Sequence, residues 1–343
     1  MIDRILGGLI GAGAADAMGA ATEGRTTRQI LDYFGHRVTD FEKVPADTFG
    51  AGNEPGQVTD DFSSAWFIAD HILKNQGQVT AQAVKEALID WSEHDVFFDR
   101  FAGPTTRLAI RRFKGEKIEE TGSVNLVSRQ ATNGAAMKIA PVGLLSGGNL
   151  QRAIEDAITV TMVTHDNYLA LSGACAVAAA VSKALLPDAD LYNVIQAGLF
   201  GAEQGELRGK KIARDVAGPS VCRRMEMAIA IGLGPGTEEE KMTEISERIG
   251  TGLHISEAVP AAFGFFAASG GSAMGTIISA VNAGYDTDTV GTIAGAIAGT
   301  LQGQKAFPAH FLPVLEKANG LKIELLAQRI DQQIKERGER DVY

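Results

Sequence analysis

Acidic and hydroxyl side chains stand together at the start of two predicted helices. These residues are Thr59, Asp60, Asp61, Asp286, Asp288 and Thr289. A helix N-terminus needs one aspartate as a cap, whereas each of these segments has two. The second segment also lies between uncharged runs at 259–285 and 289–304. Because buried carboxylates are unfavourable unless they are paired or bound to metal, helix capping alone does not explain the two aspartates of this segment.

Carboxylate and hydroxyl oxygens are ligands for hard divalent cations such as Mg²⁺ and Mn²⁺. An EF-hand is excluded, since Asp286 is not followed by the required glycine and the twelfth loop position is Ile297. The residues alone are therefore consistent with helix capping or with a buried, oxygen-ligated metal site, and they leave the reaction open.

A third acidic feature precedes both clusters. Asp16 lies within an otherwise apolar helical pattern, where a solvated helix face does not explain a carboxylate. Gly19 can end this helix and leave Glu23 on the following loop. Glu23 could move protons beside a metal, and the alternative is an ordinary surface carboxylate.

Helices must position these residues, because apolar side chains recur with a period of 3.6 residues along most of the chain. Thr80 and Ser256 are expected helix caps. The predicted helices span residues 3–18, 61–75, 80–91, 105–113, 149–163, 167–185, 191–204, 219–231, 238–249, 256–268, 272–283, 288–301 and 321–336. A weak strand pattern occurs only at 36–44, and the irregular stretches are 34–57 and 118–138. We expect one all-α domain over residues 1–343.

Composition excludes several classes of protein. The net charge of −10 disfavours nucleic-acid binding through phosphate neutralisation. Cys175 and Cys222 are too few for a disulfide scaffold, and both are expected to be reduced thiols in a cytoplasmic protein. Asp3 and Asp16 interrupt the pattern of a signal peptide. The long uncharged runs are rich in glycine and alanine, so we interpret them as buried core helices and expect no membrane association. Walker A, nucleophile-elbow and H-E-x-x-H patterns are absent from the sequence.

Several short motifs together resemble the ADP-ribosylglycohydrolase family, which includes dinitrogenase-reductase-activating glycohydrolase and the ADP-ribosyl-acceptor hydrolases. They are residues 13–19 with Glu23, Thr59-Asp60-Asp61, residues 103–107, Asn133-Gly134-Ala135-Ala136-Met137, Thr164-His165, and Asp286-Thr287-Asp288-Thr289 with residues 293–296. Each piece is weak, whereas their combination and order are specific and cover nearly the whole chain.

The resemblance implies a compact orthogonal bundle of many helices with two Mg²⁺ or Mn²⁺ ions in a central cleft. The metal ligands implied by matched position are Thr59, Asp60, Asp61, Asp286, Asp288 and Thr289. Glu23 matches the mobile acid or ligand on a flap over the cleft, and Glu23 or Asp60 would act as the catalytic acid or base. Thr105, Thr106, Gly134 and His165 are the expected substrate-binding residues, with His165 favoured as a support of the cleft. The implied reaction is hydrolysis at the anomeric carbon of a ribose, most simply the removal of ADP-ribose from a modified acceptor.

The sequence departs from the family at Phe101. Nitrogenase-regulating members carry an aspartate at this position. The resemblance therefore does not imply that this chain acts on the same protein substrate as those members. Three alternatives stay open: hydrolysis of free nucleosides or small ADP-ribose derivatives, non-catalytic binding of ADP-ribose, and another metal-dependent reaction such as phosphoester hydrolysis. The acceptor, a small molecule or a protein, and the oligomeric state are left open by the sequence.

Overall fold

The computed structural model describes residues 1–117 and 131–340, and over these ranges the regular structure is helical. The helices are α1 Ile2–Gly19, α2 Thr27–Phe34, α3 Asp60–Lys74, α4 Ala81–Trp91, α5 Asp95–Phe101, α6 Pro104–Phe113, α7 Ala140–Leu145, α8 Leu150–Met162, α9 Tyr168–Ala184, α10 Leu191–Ile212, α11 Val221–Leu233, α12 Glu238–Arg248, α13 Ile255–Ala268, α14 Ala273–Asn282, α15 Thr287–Gln302, α16 Phe311–Asn319 and α17 Ile323–Arg340. Short 3₁₀ helices occupy Asn133–Ala135 and Gln304–Ala306. The prediction of an all-α fold is confirmed.

The predicted helices correspond to observed ones, with differences at several ends. Helix α10 continues beyond the predicted end at residue 204 to Ile212. Thr80 caps α4 as expected, accepting a hydrogen bond from the backbone N–H of Ala83. The assignment of Ser256 as a cap is wrong, because the side chain of His254 caps α13 and accepts from the N–H of Ser256.

Other expectations fail where the local pattern is short. Helices α2, α5, α7 and α16 were not predicted, since one to three turns carry too little periodic signal. The weak strand at 36–44 is wrong, as this stretch contains no strand. Much of the irregular stretch 34–57 is confirmed, and residues 118–130 of the second irregular stretch lie outside the described residues.

An antiparallel pair of glycine-rich helices, α1 and α15, lies at the centre of the molecule. A β-carbon added at Gly11 would lie 2.2 Å from the carbonyl oxygen of Gly295, and one added at Gly295 would lie 2.3 Å from the carbonyl oxygen of Gly11. Side chains at these crossings would force the two backbones apart. This close approach sets the C-terminal end of α1 beside the N-terminal end of α15.

The uncharged run at 259–285 forms parts of α13 and α14, whose side chains are largely buried. Phe263, Phe265 and Phe266 are fully buried in the core. Among the helices of residues 1–117 and 131–340, none combines the length and the apolar character required to cross a bilayer.

Candidate functional site

Three carboxyl groups converge where α1 ends and α15 begins. One carboxylate oxygen from each of Glu23, Asp286 and Asp288 lies within 4.8 Å of the others. Asp286 is the N-cap residue of α15 and Asp288 lies in its first turn, whereas Glu23 lies in the turn that follows α1. Both aspartates are buried and Glu23 is half-buried. We refer to these three residues as the acidic cluster.

Backbone hydrogen bonds fix the Glu23 turn against the start of α15. The N–H of Gly24 donates to the carbonyl of Tyr285, and the N–H of Tyr285 donates to the carbonyl of Arg25, both over 2.8 Å. Tyr285 adopts a φ of 70°, a left-handed conformation that is unfavourable for an aromatic residue. The fold therefore stabilises a strained residue directly before Asp286.

Buried hydroxyl groups connect the same two helix ends. Thr22 Oγ1 lies 2.9 Å from Thr287 Oγ1, and Thr287 Oγ1 also donates to the carbonyl of Gly19 over 3.0 Å. A β-carbon added at Gly19 would lie 2.4 Å from the Cα of Asp288. Thr287 thus faces α1, while the aspartates on either side of it belong to the acidic cluster.

The other acidic pair, Asp60 and Asp61, lies in the first turn of α3. The carboxylate of Asp16 accepts hydrogen bonds from the backbone N–H groups of Thr59 (2.9 Å) and Phe62 (2.8 Å). This buried carboxylate therefore caps α3 from a neighbouring helix and positions Asp60 and Asp61. The group of atoms within 4.8 Å of one another contains neither Asp60 nor Asp61, so α3 forms a separate side of the site.

The carboxyl groups of both sides influence one another electrostatically. Burial, and then the charge of Asp288, raise the pKa of Asp60 to about 7. The same two causes, with smaller effects from Asp286 and Asp60, raise the pKa of Glu23 to about 10. Burial and the charge of Asp288 also raise the pKa values of Asp61 and Asp286. In the absence of a cation, this concentration of negative charge favours protonated carboxyl groups.

The donor set fits a hard divalent cation. Asp61 Oδ2 is buried without a hydrogen-bond partner, which is unfavourable for a carboxylate unless a cation or a proton compensates it. Thr59 and Thr289 are buried next to these carboxylates in the chain and add hydroxyl oxygens. Carboxylate and hydroxyl oxygens are the ligands that Mg²⁺ and Mn²⁺ prefer, so the residues present suit such an ion.

Sequence reasoning missed Lys138, a buried cation close to Asp60 and Asp61. Its side chain is 1% exposed, and its Nζ has no hydrogen-bond partner among the described residues. Burial lowers the pKa of Lys138 to about 8, while the charges of Asp60 and Asp61 oppose this change. The available signal was its isolation, since no other charged residue occurs between positions 131 and 151.

The 3₁₀ helix at Asn133–Ala135 contributes Asn133, a residue of the motifs to which the sequence assigned no role. The side-chain amide of Asn133 donates to Oδ2 of Asp286. Gly134, predicted to contact substrate, packs against His165, because an added β-carbon would lie 3.1 Å from His165 Nε2. This segment therefore links Asp286 to the His165 region.

His165 is fully enclosed and both of its ring nitrogens have hydroxyl partners. Nε2 lies 3.1 Å from Thr132 Oγ1 and Nδ1 lies 2.7 Å from Thr164 Oγ1. Burial and then the charge of Lys138 lower the pKa of His165 well below its usual range, so the ring is neutral at pH 7. The ring is thus held between Thr132 and Thr164, and the role of His165 as a support of the cleft stays a prediction.

Thr105 and Thr106 lie in the first turn of α6, the former half-buried and the latter buried. The next residue, Arg107, donates to the carbonyls of Ala102 (2.7 Å) and Phe98 (2.9 Å). Its charge also lowers the pKa of Asp60 slightly against the effects of burial and Asp288. The start of α6 is thus held on α5 by Arg107.

A family model described as ADP-ribosylglycohydrolase matches residues 1–340. The chain is 29% identical to the uncharacterized protein YegU of Escherichia coli (strain K12), with 93% of each chain covered. It is 25% identical to the ADP-ribosyl-[dinitrogen reductase] glycohydrolase of Rhodospirillum rubrum, covering 92% of this chain and 90% of that one. A solved structure titled ADP-ribosylglycohydrolase-related protein complex superposes with a TM-score of 0.70 at 23% identity, covering 97% of this chain and 98% of that one.

Proposed function

Because the chain belongs to the ADP-ribosylglycohydrolase family and is a glycohydrolase of this type, we propose that it removes ADP-ribose from a modified acceptor with the help of Mg²⁺ or Mn²⁺. The convergence of Glu23, Asp286 and Asp288 carries this proposal, since it brings two of the proposed cation ligands and the proposed proton donor to one end of the central helix pair. We further propose that residues 1–343 act as one domain.

The cation ligands would be the six residues identified from the motifs. They are Thr59, Asp60, Asp61, Asp286, Asp288 and Thr289. Divalent cations held by these residues would favour water as a nucleophile at neutral pH and would offset negative charge on the ribose oxygens. We propose that these six residues would hold two such ions.

Glu23 and Asp60 would carry out the two proton transfers of the reaction. In the cation-free protein, burial and the charge of Asp288 raise the pKa of Glu23 to about 10, and we assign to its carboxyl group the donation of a proton to the departing acceptor atom. The bond from C1″ to the acceptor breaks with its electron pair on the acceptor, and a water oxygen forms the new bond to C1″. Asp60 would take the proton released by that water.

Carboxylates around the anomeric carbon also stabilise the positive charge that develops there, because ribosyl transfer passes through an oxocarbenium-like state. We assign this role to Asp288, whose charge raises the pKa of every other carboxyl group of the site. Thr105, Thr106 and Gly134 would contact ribose or phosphate, and His165 would support them from within the core. Phe101 leaves the acceptor open, since the aspartate of nitrogenase-regulating members is missing here.

A chromatographic assay for released ADP-ribose tests the proposal. The substrates are ADP-ribosyl-arginine, an ADP-ribosyl-serine peptide and ADP-ribose-1″-phosphate, each incubated with Mg²⁺ or Mn²⁺ and with or without a chelator. We expect release from at least one substrate, its loss with the chelator, and a decrease of at least about 100-fold for Asp288→Asn, as one key electrostatic group contributes about that much. Asp188→Asn, a change on the exposed loop before α10, is the matched control and should be fully active. No release from any substrate, or release that the chelator does not affect, would contradict the proposal.

A further inference from the structure

A cleft of about 750 Å³ opens beside the acidic cluster, and Glu23 lies in its wall. The opposite parts of the wall come from α2, through Tyr33, and from the irregular segment that contains Asp47 and Phe49. This volume is within the range of clefts that bind small molecules. The cleft contains none of the six proposed cation ligands, so it is a neighbouring region of the same site.

Two aromatic side chains in this wall are unusually exposed. Phe49 is 74% exposed and Tyr33 is 56% exposed. Tyr33 makes an edge contact with Phe34, at 4.9 Å between ring centroids, and is not stacked on Phe49. Exposed aromatic rings that line a cleft next to a site for a ribosyl substrate offer faces on which a planar group can stack.

Arg25 organises this wall. Its guanidinium forms a 2.5 Å ion pair with Asp47 and lies 5.0 Å from the centroid of the Tyr33 ring. The side chain of Arg25 is only 10% exposed, and its backbone carbonyl accepts the hydrogen bond from Tyr285 N–H. The ion pair therefore connects the Phe49 segment to Tyr33 and, through the Arg25 backbone, to the residue before Asp286.

The charges of the wall indicate which part of a substrate it suits. Arg25 is neutralised by Asp47, and the remaining ionisable side chains of the wall, Glu23 and Asp32, carry carboxyl groups. Binding of a pyrophosphate requires positive charge, and among the described residues the wall offers no cation that is not already paired. An uncharged planar ring can bind by stacking on the aromatic side chains alone.

We propose that the Tyr33–Phe49 cleft binds a planar heteroaromatic base of the substrate while the anomeric carbon lies at the acidic cluster. This inference deepens the proposed function and rests on it for the position of the ribose. The base has two sources: the adenine of the ADP-ribosyl group, or a base attached to C1″ as the leaving group. Both would stack on the same two rings.

Binding measurements on the full chain with Mg²⁺ test the inference. Isothermal titration calorimetry with ADP-ribose, adenosine and ribose 5-phosphate compares ligands with and without a base. The variants are Tyr33→Ala, Phe49→Ala and the conservative Tyr33→Phe, and all three change exposed positions. Tyr192→Ala is the matched control, since Tyr192 is a 65% exposed tyrosine on α10.

If the base is adenine, each alanine variant should weaken ADP-ribose and adenosine binding about 10-fold, the usual effect of losing one stacking ring. Ribose 5-phosphate should bind as before, and Tyr33→Phe and Tyr192→Ala should match the unaltered protein. If the base is the leaving group, ADP-ribose binding should stay constant while KM for base release from nucleosides rises about 10-fold at unchanged kcat.

The inference is overturned if both alanine variants stay within twofold of the unaltered protein in all of these measurements, or if Tyr192→Ala shows the same losses. Failure of the proposed function is a distinct result, namely no ADP-ribose released from any acceptor by the unaltered protein. Adenosine binding would still decide the inference in that case, because it requires no turnover.

Discussion

The carboxylate of Asp16 on α1 accepts the backbone N–H of Thr59 at the start of α3, over 2.9 Å, and so joins two segments that are 43 residues apart. A second bond, to the N–H of Phe62, uses the other carboxylate oxygen. Asp16 is completely buried, and burial and the charge of Asp288 raise its pKa. This residue therefore contributes to the site by orienting Asp60 and Asp61 through their own backbone.

Asp16→Ala should weaken both the fold and cation binding. Two buried N–H groups would lose their acceptor, and each such loss costs about 1–3 kcal/mol of the free energy of unfolding. We expect a lower urea midpoint and a cation dissociation constant raised at least about 10-fold, since α3 would no longer be held in place. Urea unfolding and calorimetric titration with Mn²⁺ measure the two effects.

The control for this variant is Asp190→Ala, which removes the cap of α10 at an exposed position away from the cluster. It should lower the free energy of unfolding by about 1 kcal/mol and leave Mn²⁺ binding unchanged. Equal Mn²⁺ affinity in Asp16→Ala and Asp190→Ala would show that Asp16 has no positioning role.

Gly19→Ala should displace Asp288. The new β-carbon would lie 2.4 Å from the Cα of Asp288. Because this Cα is a backbone atom, it cannot move aside as the end of a flexible side chain could. Thermal unfolding should occur at lower temperature, and metal-dependent activity should decrease strongly. Gly13→Ala on the same helix is the control, because its β-carbon would meet Phe62 at an ordinary 3.4 Å. If Gly19→Ala were as active and stable as Gly13→Ala, the close packing of α1 on α15 would not determine the geometry of the site.

Much of this architecture was predictable because its signals are local. Helical periodicity identified the long helices. The second acidic motif identified Asp286 and Asp288, the loop after Gly19 identified Glu23, and the fold brings these three residues together. The acidic residues Asp60 and Asp61 were also identified, whereas their roles as ligands stay predictions. The family resemblance is confirmed by the match over residues 1–340.

The remaining features depend on contacts that sequence spacing does not encode. The bonds from Asp16 reach backbone groups, which carry no residue-specific signal. The effect of Lys138 depends on its proximity to Asp60 and Asp61, which lie far from it in the sequence. The exposed rings of Tyr33 and Phe49 line one cleft, in which Arg25 pairs with Asp47. Each of these is a relation between distant segments of the chain.

Lys138→Met should shift the pH dependence of cation binding upward. The positive charge of Lys138 lowers the pKa of Asp60 against the larger effects of burial and Asp288, so its removal should raise that pKa further. Protons would then compete with Mn²⁺ up to a higher pH, and the midpoint of the binding curve against pH should rise. Lys183→Met is the control, because Lys183 pairs with Asp188 on another part of the surface. An unchanged midpoint in Lys138→Met would contradict the proposed influence of Lys138 on Asp60.

The stability of the cation-free protein should decrease as the pH rises. Burial and the charge of Asp288 raise the pKa of Asp60 from 3.8 to about 7 and that of Glu23 from 4.5 to about 10. A carboxyl group whose pKa is higher in the folded state contributes stability that is fully present below its unfolded value and is lost as the pH rises through its folded value. The chelated protein should therefore unfold at a lower temperature at pH 8 than at pH 5. Adding Mg²⁺ at 100 times its dissociation constant should restore about 2.7 kcal/mol at pH 8 and much less at pH 5, where protons occupy the carboxylates. Calorimetric unfolding at both pH values, with chelator or with Mg²⁺, measures this, and an equal effect of Mg²⁺ at the two pH values would show that the carboxyl groups are not the cation ligands.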